Sequence, residues 1–270
     1  MSALKKYLCV FRIRFNAGLQ YRAAAWGGII TQFFWGFLNI LLYKAFYDAD
    51  PSAFPMTMQA TASYVWLRQA FFSLFCSTRF DNSLFEAITG GGVAYELTRP
   101  IDLYSLWYCK NLAVRFSDAS LRMVPILIVS MLLPKPYGLV LPQNPFILLA
   151  TLISVFFATM LMCSTAMFVY IFSFYTLNPR GLRVIYFSTV DLLSGNIVPL
   201  PFFPESIRSL LELTPFAAST DVPLRIYSGD IPGGEILPRM LLQVFWLIVM
   251  LLLGKLAMSR ALRRTVIQGG

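Results

Sequence analysis

The sequence contains no histidine, few charged residues and no cysteine pair with the spacing of a metal or redox site. Histidine is the commonest general base and metal ligand, so its absence removes the usual starting point for catalysis. The four cysteines lie in or beside apolar segments, which is typical of small buried residues rather than of a disulfide framework. The motifs GxxxxGK[ST], GxSxG and HExxH are also absent, so the chain has no recognisable site of its own for ATP hydrolysis.

Charged residues make up 13% of the 270 residues and hydrophobic residues 57%. A soluble domain has about 25% charged residues, so this composition favours a membrane protein. The net charge of +9 invites a nucleic-acid partner, but the basic residues cluster beside apolar runs, as membrane topology requires. We therefore expect contact with membrane lipid and no nucleic acid. The N-terminal segment lacks a small-residue cleavage site after a short apolar core, so we expect no removable signal peptide.

Six segments are long and apolar enough to be membrane-spanning helices. A bilayer core about 30 Å thick requires about 20 apolar residues in a helix. The pattern predicts an all-α membrane protein, with residues 1–270 as a single transmembrane domain. The predicted spans are about Ala25–Tyr47, Met58–Thr78, Leu112–Leu133, Phe146–Phe174, Leu182–Phe203 and Leu237–Met258.

The distribution of basic residues predicts the orientation of these spans. Lysine and arginine cluster in the N-terminal segment, in the connections between spans 2 and 3 and between spans 4 and 5, and in the C-terminal tail. The connections between spans 1 and 2 and between spans 3 and 4 contain only one basic residue, Lys135. Because positive loops stay in the cytoplasm, both termini are expected there. The alternative, a protein of buried core helices that never meets lipid, does not explain this asymmetry.

The segment before the first span has a regular apolar pattern. Leu4, Leu8, Phe11, Phe15 and Leu19 recur at steps of three and four, which predicts an interfacial helix within residues 1–24 that turns its cations towards anionic lipid. A mobile basic tail is the weaker alternative.

The connection between spans 5 and 6 is long and rich in proline. It predicts a short helix, Ser206–Leu213, that dips back into the outer leaflet, and a lid over a pathway. An ordinary outer loop is the alternative. The expected lid residues are Pro199, Pro201, Phe202, Phe203 and Pro204.

The connection between spans 2 and 3 predicts a short helix that ends at Ile88. Asn82 or Ser83 can cap its start, and the glycines 90–92 end it. Leu84, Phe85 and Ile88 would then form an apolar anchor among charged neighbours, as a docking element requires. A passive capped turn is the alternative.

Several charged residues lie inside or beside the predicted spans. Arg68 and Asp191 fall at a similar depth in spans 2 and 5, so we expect them to pair or to line a central cavity. Separate partners such as Gln69 or Ser188 are the alternative. The start of span 3 has a charged side that predicts a cytoplasmic extension or the lining of an inner vestibule, with Asp118 and Arg122 spaced for pairing. The residues on this side are Lys110, Arg115, Asp118 and Arg122.

The runs FEAITGGGVAYELTRPID, LLSGNIVPLPFFPESI, LTPFAA and RIYSGD, in this order, resemble the ABC-2 family of transporter permeases, and in particular its bacterial branch. The resemblance implies a six-span exporter subunit in the bacterial cytoplasmic (inner) membrane. It implies no cofactor on this chain, because ATP and Mg would bind a separate ABC ATPase, present in two copies. A second permease, identical or homologous, would complete the assembly.

The resemblance also implies roles for particular residues. The helix between spans 2 and 3 would be the coupling helix, which sits in a groove of the ATPase, and spans 2 and 5 would form much of the pathway. Arg68, Gln69 and Asp191 would be pathway or intramembrane polar residues. The residues implied to contact the ATPase are Phe85, Glu86, Ile88, Leu97, Thr98, Arg99 and Pro100.

We therefore expect an exporter subunit without catalysis of its own. The aromatic fraction of 16% favours an amphipathic or hydrophobic substrate such as a lipid, a peptide or an antibiotic. An ion-gradient-driven secondary transporter is the alternative, although it would require inverted repeats and several buried acids, of which we find essentially one. A membrane enzyme acting on lipid is disfavoured by the missing histidine and the missing acid cluster.

Overall fold

The computed structural model describes residues 3–50, 55–142, 144–176 and 178–264, and within them the regular structure is helical. A 3₁₀ turn spans Leu200–Phe202. The helices are α1 (Ala3–Gly18), α2 (Arg22–Ala49), α3 (Met58–Ala70), α4 (Phe72–Phe75), α5 (Asn82–Thr89), α6 (Val93–Leu97), α7 (Leu103–Leu132), α8 (Pro145–Thr176), α9 (Pro179–Leu193), α10 (Glu205–Glu212), α11 (Pro215–Ala218), α12 (Asp221–Ser228) and α13 (Gly233–Arg264).

Among the described residues, three helices, α2, α8 and α13, are long and apolar enough to cross a membrane. The prediction of an all-α membrane protein is therefore confirmed, whereas six spans remain a prediction. The helices of the second and fifth predicted spans are short, since α3 ends at Ala70 and α9 has 15 residues. At about 1.5 Å per residue, α9 measures about 22 Å, less than the bilayer core of about 30 Å.

Side-chain caps determine where several helices begin. Thr57 accepts a hydrogen bond from the backbone of α3, Asp102 from that of α7, and Asn178 from that of α9. Each cap satisfies a backbone donor that has no partner within its own helix. The cap of α5 is Asp81, not Asn82 or Ser83 as the sequence suggested, because its carboxylate accepts from the Ser83 backbone.

Helix α8 lies at the centre of the molecule, where it packs against α13, α12, α9 and α7. Small side chains on α8, among them Ala158 and Ala166, are fully buried and allow the neighbouring helices to approach closely. The hydroxyl of Ser154 donates a hydrogen bond to Gln243 of α13 at 2.9 Å. Helix α8 therefore joins the connection between α9 and α13, the connection between α4 and α7, and the last helix into one body.

The N-terminal helix α1 packs along α7. Phe11 lies against Phe116 with ring centroids 6.2 Å apart, and Cys109 Sγ donates to the Tyr7 carbonyl. Leu8, which belongs to the predicted apolar stripe, is exposed instead. The inward face of α1 is therefore rotated relative to that stripe, and the interfacial position of residues 1–24 remains a prediction.

Candidate functional site

A cavity of about 390 Å³, here called the main cavity, lies among α2, α3, α4, α7 and α9. All three residues predicted as intramembrane polar groups, Arg68, Gln69 and Asp191, line it. Its other polar lining residues are Thr31, Gln32, Asn39, Ser77, Thr78, Arg122 and Asn196.

Arg68 and Asp191 both line the main cavity. No direct ion pair joins them in the part of the chain that is described. Arg68 Nη1 donates to the backbone carbonyl of Asn196, and Asn196 Nδ2 donates to Asp191 Oδ1 at 3.1 Å. Ser77 Oγ also donates to Asp191 Oδ1, at 2.7 Å. The structure thus brings both charges to one cavity and links them through Asn196. Ser77 and Asn196, rather than Ser188, are the partners of the carboxylate.

Arg115 forms hydrogen bonds with the backbone at and just after the end of α4, beside the main cavity. Its Nη1 donates to the carbonyls of Leu74 and Cys76, both at 2.9 Å, and its Nη2 to the carbonyl of Arg79 at 3.2 Å. Carbonyls at a helix end have no intrahelical donor, so the guanidinium completes their hydrogen bonding. Arg115 is 0% exposed, so its charge lies inside the protein rather than on an exposed side of α7. It positions residues 76–78, which line the main cavity.

The other charged residues on this side of α7 take separate roles. Lys110 pairs with Glu96 of α6, and Asp118 pairs with Arg79 at 2.7 Å. The expected pairing of Asp118 with Arg122 is therefore wrong, because the carboxylate turns towards Arg79. Arg122 lines the main cavity and also a second cavity of about 410 Å³ between α1, α2 and α7.

Three of the five exposed residues that line the main cavity are apolar, and they are here called its apolar rim. Trp35 is 51% exposed and Ile197 is 63% exposed, and both lie among the lining residues together with Phe72. A polar wall with an apolar opening matches a molecule that has a polar group at one end and an apolar body at the other.

The connection between α4 and α7, which the sequence predicts to be cytoplasmic and which is here called the cytoplasmic connection, contains the residues expected to meet an ATPase. Phe85 and Ile88 are buried, and the Phe85 ring lies 4.6 Å from that of Tyr170 on α8. The expectation that they form an outward anchor is therefore wrong for this structure. The helix periodicity identified the apolar face of α5 correctly, but α8 covers that face.

An exposed patch, here called the coupling face, lies on the same connection. Tyr95 is 80% exposed, because Glu96 on the same short helix turns inward to Lys110 and to the indole nitrogen of Trp107. Tyr95 is not among the residues that the resemblance implied, although the adjacent acidic residue was a usable signal. Leu97 is 43% exposed. The other exposed members are Glu86, Thr98, Arg99 and Pro100.

Arg183 of α9 connects this region to the main cavity. Its guanidinium carbon lies 4.0 Å from the centroid of the Phe85 ring, and its Nη2 donates to Asn82 Oδ1 at 2.8 Å. A cation over an aromatic face is attracted to it, so the two contacts hold the start of α9 to α5. The same helix carries Asp191 to the cavity wall.

Residues 33–269 match the family model described as ABC-2 family transporter protein. The match covers most of the chain and agrees with the order of motifs along it. The protein belongs to the ABC-2 transporter family. No curated protein matches the sequence. As an ABC-2 permease, it is a membrane transport subunit rather than an ATPase, and the family implies an ABC ATPase as its partner.

The connection between α9 and α13, which the sequence predicts to lie outside and which is here called the outer connection, begins with the predicted lid residues. Pro199 and Pro201 are buried, Phe202 stacks on Tyr43 of α2 with ring centroids 5.5 Å apart, and Pro204 is exposed before α10. None of the five predicted lid residues lines the main cavity, although the neighbouring Ile197 does. Their role as a lid remains a prediction. The predicted short helix is present as α10, Glu205–Glu212.

Further along this connection, Arg225 of α12 binds three carboxylates. It contacts Glu212, Asp221 at 3.3 Å and Asp230. Arg239 of α13 pairs with the second oxygen of Glu212 at 2.6 Å. These residues, here called the outer network, join α10, α12 and α13. The expectation of essentially one deep acid is therefore wrong, since Asp221 is 1% exposed.

Two of the three acids of the outer network, Asp221 and Glu212, have pKa values shifted in opposite directions. Burial raises the pKa of Asp221 to about 6, against the opposing effects of Arg225 and of a hydrogen bond donated by Tyr64 at 2.8 Å. Burial also favours the neutral form of Glu212, but hydrogen bonds and charge from Arg225 and Arg239 outweigh it and lower the pKa of Glu212. Asp221 is therefore the group in this network that titrates near neutral pH.

Proposed function

We propose that this permease exports an amphipathic or hydrophobic substrate, such as a lipid, a peptide or an antibiotic, and that a separate ATPase supplies the energy. One observation carries the proposal. The exposed coupling face and the main cavity are connected through Arg183, which contacts α5 at one end of α9, while Asp191 lies in the cavity wall near the other end. A docking surface and a cavity joined by one helix are what a driven permease requires.

In the proposed mechanism, the ATPase binds the coupling face and moves α5 and α6 when it closes on ATP. Arg183 transmits the movement to α9, because its contacts with Phe85 and Asn82 hold the two helices together. Asp191 then shifts relative to Ser77 and Asn196, and the cavity alternates between inward-facing and outward-facing forms. Only a difference in ATPase binding between the two forms can drive this change.

The proposed topology has six crossings, in which α3 with α4, α7 and α9 supplement the three long apolar helices. Both termini lie on the cytoplasmic side of a bacterial cytoplasmic membrane, next to the basic segments. Two ATPase copies and a second permease, identical or homologous, complete the proposed assembly. ATP and Mg are bound by the ATPase, and lipid surrounds the permease.

Photocrosslinking can test the contact with the ATPase. A photoreactive phenylalanine analogue is placed at Tyr95 in the full chain, which is expressed with its natural partners. The matched control carries the analogue at Tyr175, an exposed tyrosine near the end of α8. We expect an ATP-hydrolysing protein to be crosslinked from position 95 and not from position 175. If no such protein is crosslinked from position 95, the proposed coupling face is wrong.

A functional measurement completes this test. Leu97→Asp should reduce the ATP-dependent transport of the assembly at least about tenfold, because a buried carboxylate would oppose docking. Since Leu97 is half-exposed in the isolated chain, the thermal stability of the purified permease should not change. Normal transport by this variant would contradict the proposal.

The alternative, an ion-gradient-driven carrier, gains one observation from the structure. Asp221 is a buried carboxylate whose pKa is raised by burial to about 6, as a proton-carrying group would require. Transport that stops when a proton gradient is collapsed while ATP remains would favour this alternative. Transport that stops when ATP is depleted at constant gradient would favour the ATPase-driven function.

A further inference from the structure

Arg122 is an unpaired cation between the two cavities. No hydrogen bond or ion pair joins its guanidinium to another residue in the described part of the chain, and its Nε is buried without a partner. In contrast, Arg14 and Arg79, which also line the second cavity, are paired with Asp81 and Asp118. A shielded donor without an acceptor costs free energy, and an anion that enters the cavity would supply the missing acceptors.

The guanidinium of Arg122 lies close to the backbone of α2 at Gly28. A Cβ atom built on Gly28 would lie 2.6 Å from Cζ and from Nη1 of Arg122, which is too close for any side chain to fit without displacing the arginine. A Cβ built on the adjacent Gly27 would meet no atom within 4 Å. Glycine at position 28 therefore allows the guanidinium to lie against the helix, whereas position 27 has no such role.

One further group on the wall of the main cavity is suited to an acidic ligand. Arg68 donates to the backbone carbonyl of Asn196 and has no carboxylate partner there. Asp191 already accepts from Ser77 and Asn196. With two arginines and one aspartate, the charged side chains that line the main cavity carry one net positive charge.

The apolar rim determines what kind of anion would fit. A small inorganic anion would satisfy Arg122 but leave Trp35, Phe72 and Ile197 without an apolar partner. A molecule with an acidic head and an apolar body would place the head beside the arginine and the body across the rim. The apolar part then contributes through the hydrophobic effect, while the head group supplies orientation.

We propose that the main cavity binds an amphiphile with an acidic head group, a phosphate or a carboxylate, with Arg122 as the principal anchor and Arg68 as a second donor. The proposal rests on the proposed function, which it deepens by naming the class of cargo.

The first experiment measures binding to the full chain in a neutral detergent by isothermal titration calorimetry. The probes are dodecyl phosphate, dodecanol and inorganic phosphate, which separate the contributions of the head group and the apolar chain. We expect dodecyl phosphate to bind at least about tenfold more tightly than either of the others, since charge-assisted hydrogen bonds and apolar burial act together. Equal affinity for dodecanol would overturn the proposal.

Four variants locate the site. Arg122→Gln should weaken the binding of dodecyl phosphate at least about tenfold, whereas Arg122→Lys should retain part of the affinity because it keeps the charge. Gly28→Ala should also weaken binding, and the matched Gly27→Ala should not. The thermal midpoint of each variant shows that it is folded. Unchanged affinity in Arg122→Gln, or equal effects of the two glycine substitutions, would overturn the proposal.

A final measurement on the assembly with its ATPase separates a cargo from a resident lipid. Release of bound dodecyl phosphate on addition of ATP identifies cargo, and retention identifies a tightly held lipid; both outcomes support the head-group site. Failure of the proposed function looks different. In that case no ATPase activity accompanies the purified permease, while binding still depends on Arg122.

Discussion

Arg122 in the main cavity and Arg225 in the outer network are two shielded arginines with opposite surroundings. Arg225 has three carboxylate partners, whereas Arg122 has none among the described residues. A buried charge that is paired within the chain contributes to stability as long as its partners are present. An unpaired charge can instead bind a ligand. The comparison therefore separates an arginine that holds the outer connection together from one that is positioned to bind a ligand.

The largest effect should come from removing the paired arginine. Arg225→Met leaves Glu212, Asp221 and Asp230 without their shared cation, and breaking a buried ion pair typically costs about 3–5 kcal/mol. We expect a lower midpoint of thermal unfolding in detergent. Lys44→Met is the control, since Lys44 pairs with the exposed Asp48 and such pairs contribute at most about 1 kcal/mol.

A combined variant shows whether charge is the cause of this loss. Adding Glu212→Gln and Asp221→Asn to Arg225→Met removes most of the unpaired negative charge, so part of the lost stability should return. If the combined variant is no more stable than Arg225→Met alone, the loss comes from packing and the comparison with Arg122 fails.

A smaller effect is expected at the edge of the outer network. Tyr64→Phe removes the hydrogen bond to Asp221, and hydrogen bonds to charged groups contribute about 1.5–3 kcal/mol. Tyr227→Phe is the control, because the Tyr227 hydroxyl forms no hydrogen bond with a described residue. Thermal unfolding of the two variants should differ accordingly, and equal midpoints would exclude a stabilising role for the Tyr64 hydroxyl.

The outer network should also make the stability of the folded chain depend on pH. The pKa of Asp221 is raised by burial to about 6 from its ordinary value of 3.8, so its neutral form is favoured in the folded chain. Its contribution is complete below about pH 4 and is lost as the pH rises through about 6, at most about 1.4 kcal/mol for each pH unit. Asp221→Asn should abolish this decline in thermal unfolding measured between pH 4 and 7. A decline that persists in Asp221→Asn would assign it to another group.

The smallest effect on stability is expected for the unpaired arginine. Arg122→Gln breaks no hydrogen bond within the described chain, so the free energy of unfolding should change by less than about 0.5 kcal/mol. The measurement is again thermal unfolding of the ligand-free permease. A loss as large as that of Arg225→Met would mean that Arg122 is a structural residue, which would remove the contrast between the two arginines.

Local features of the fold were predictable because they depend on neighbouring residues. The apolar run of α8, the helix of the cytoplasmic connection with its glycine break, and the short helix α10 all follow from periodicity and from proline and glycine. The short helix α9 was harder to predict, because Gly195 takes a positive φ of 79° and turns the chain within a segment that is still apolar. Hydropathy alone extends such a segment beyond its real end.

The partners of the polar residues were much less predictable. Periodicity identified the apolar face of α5, but it could not reveal that α8 covers Phe85. Asp118 had a cation four residues away and still pairs with Arg79. Tyr64 and Asp221 are 157 residues apart, so no local pattern connects them.

The amino-acid sequence alone determined that this protein is an all-α membrane protein of the ABC-2 type, because long apolar runs and short motifs are properties of adjacent residues. Only the tertiary structure decided which arginines are paired and which face of the cytoplasmic connection is exposed. The physical reason is that hydrogen bonds and ion pairs act over a few ångströms, so a charge finds its partner only after distant helices have packed together.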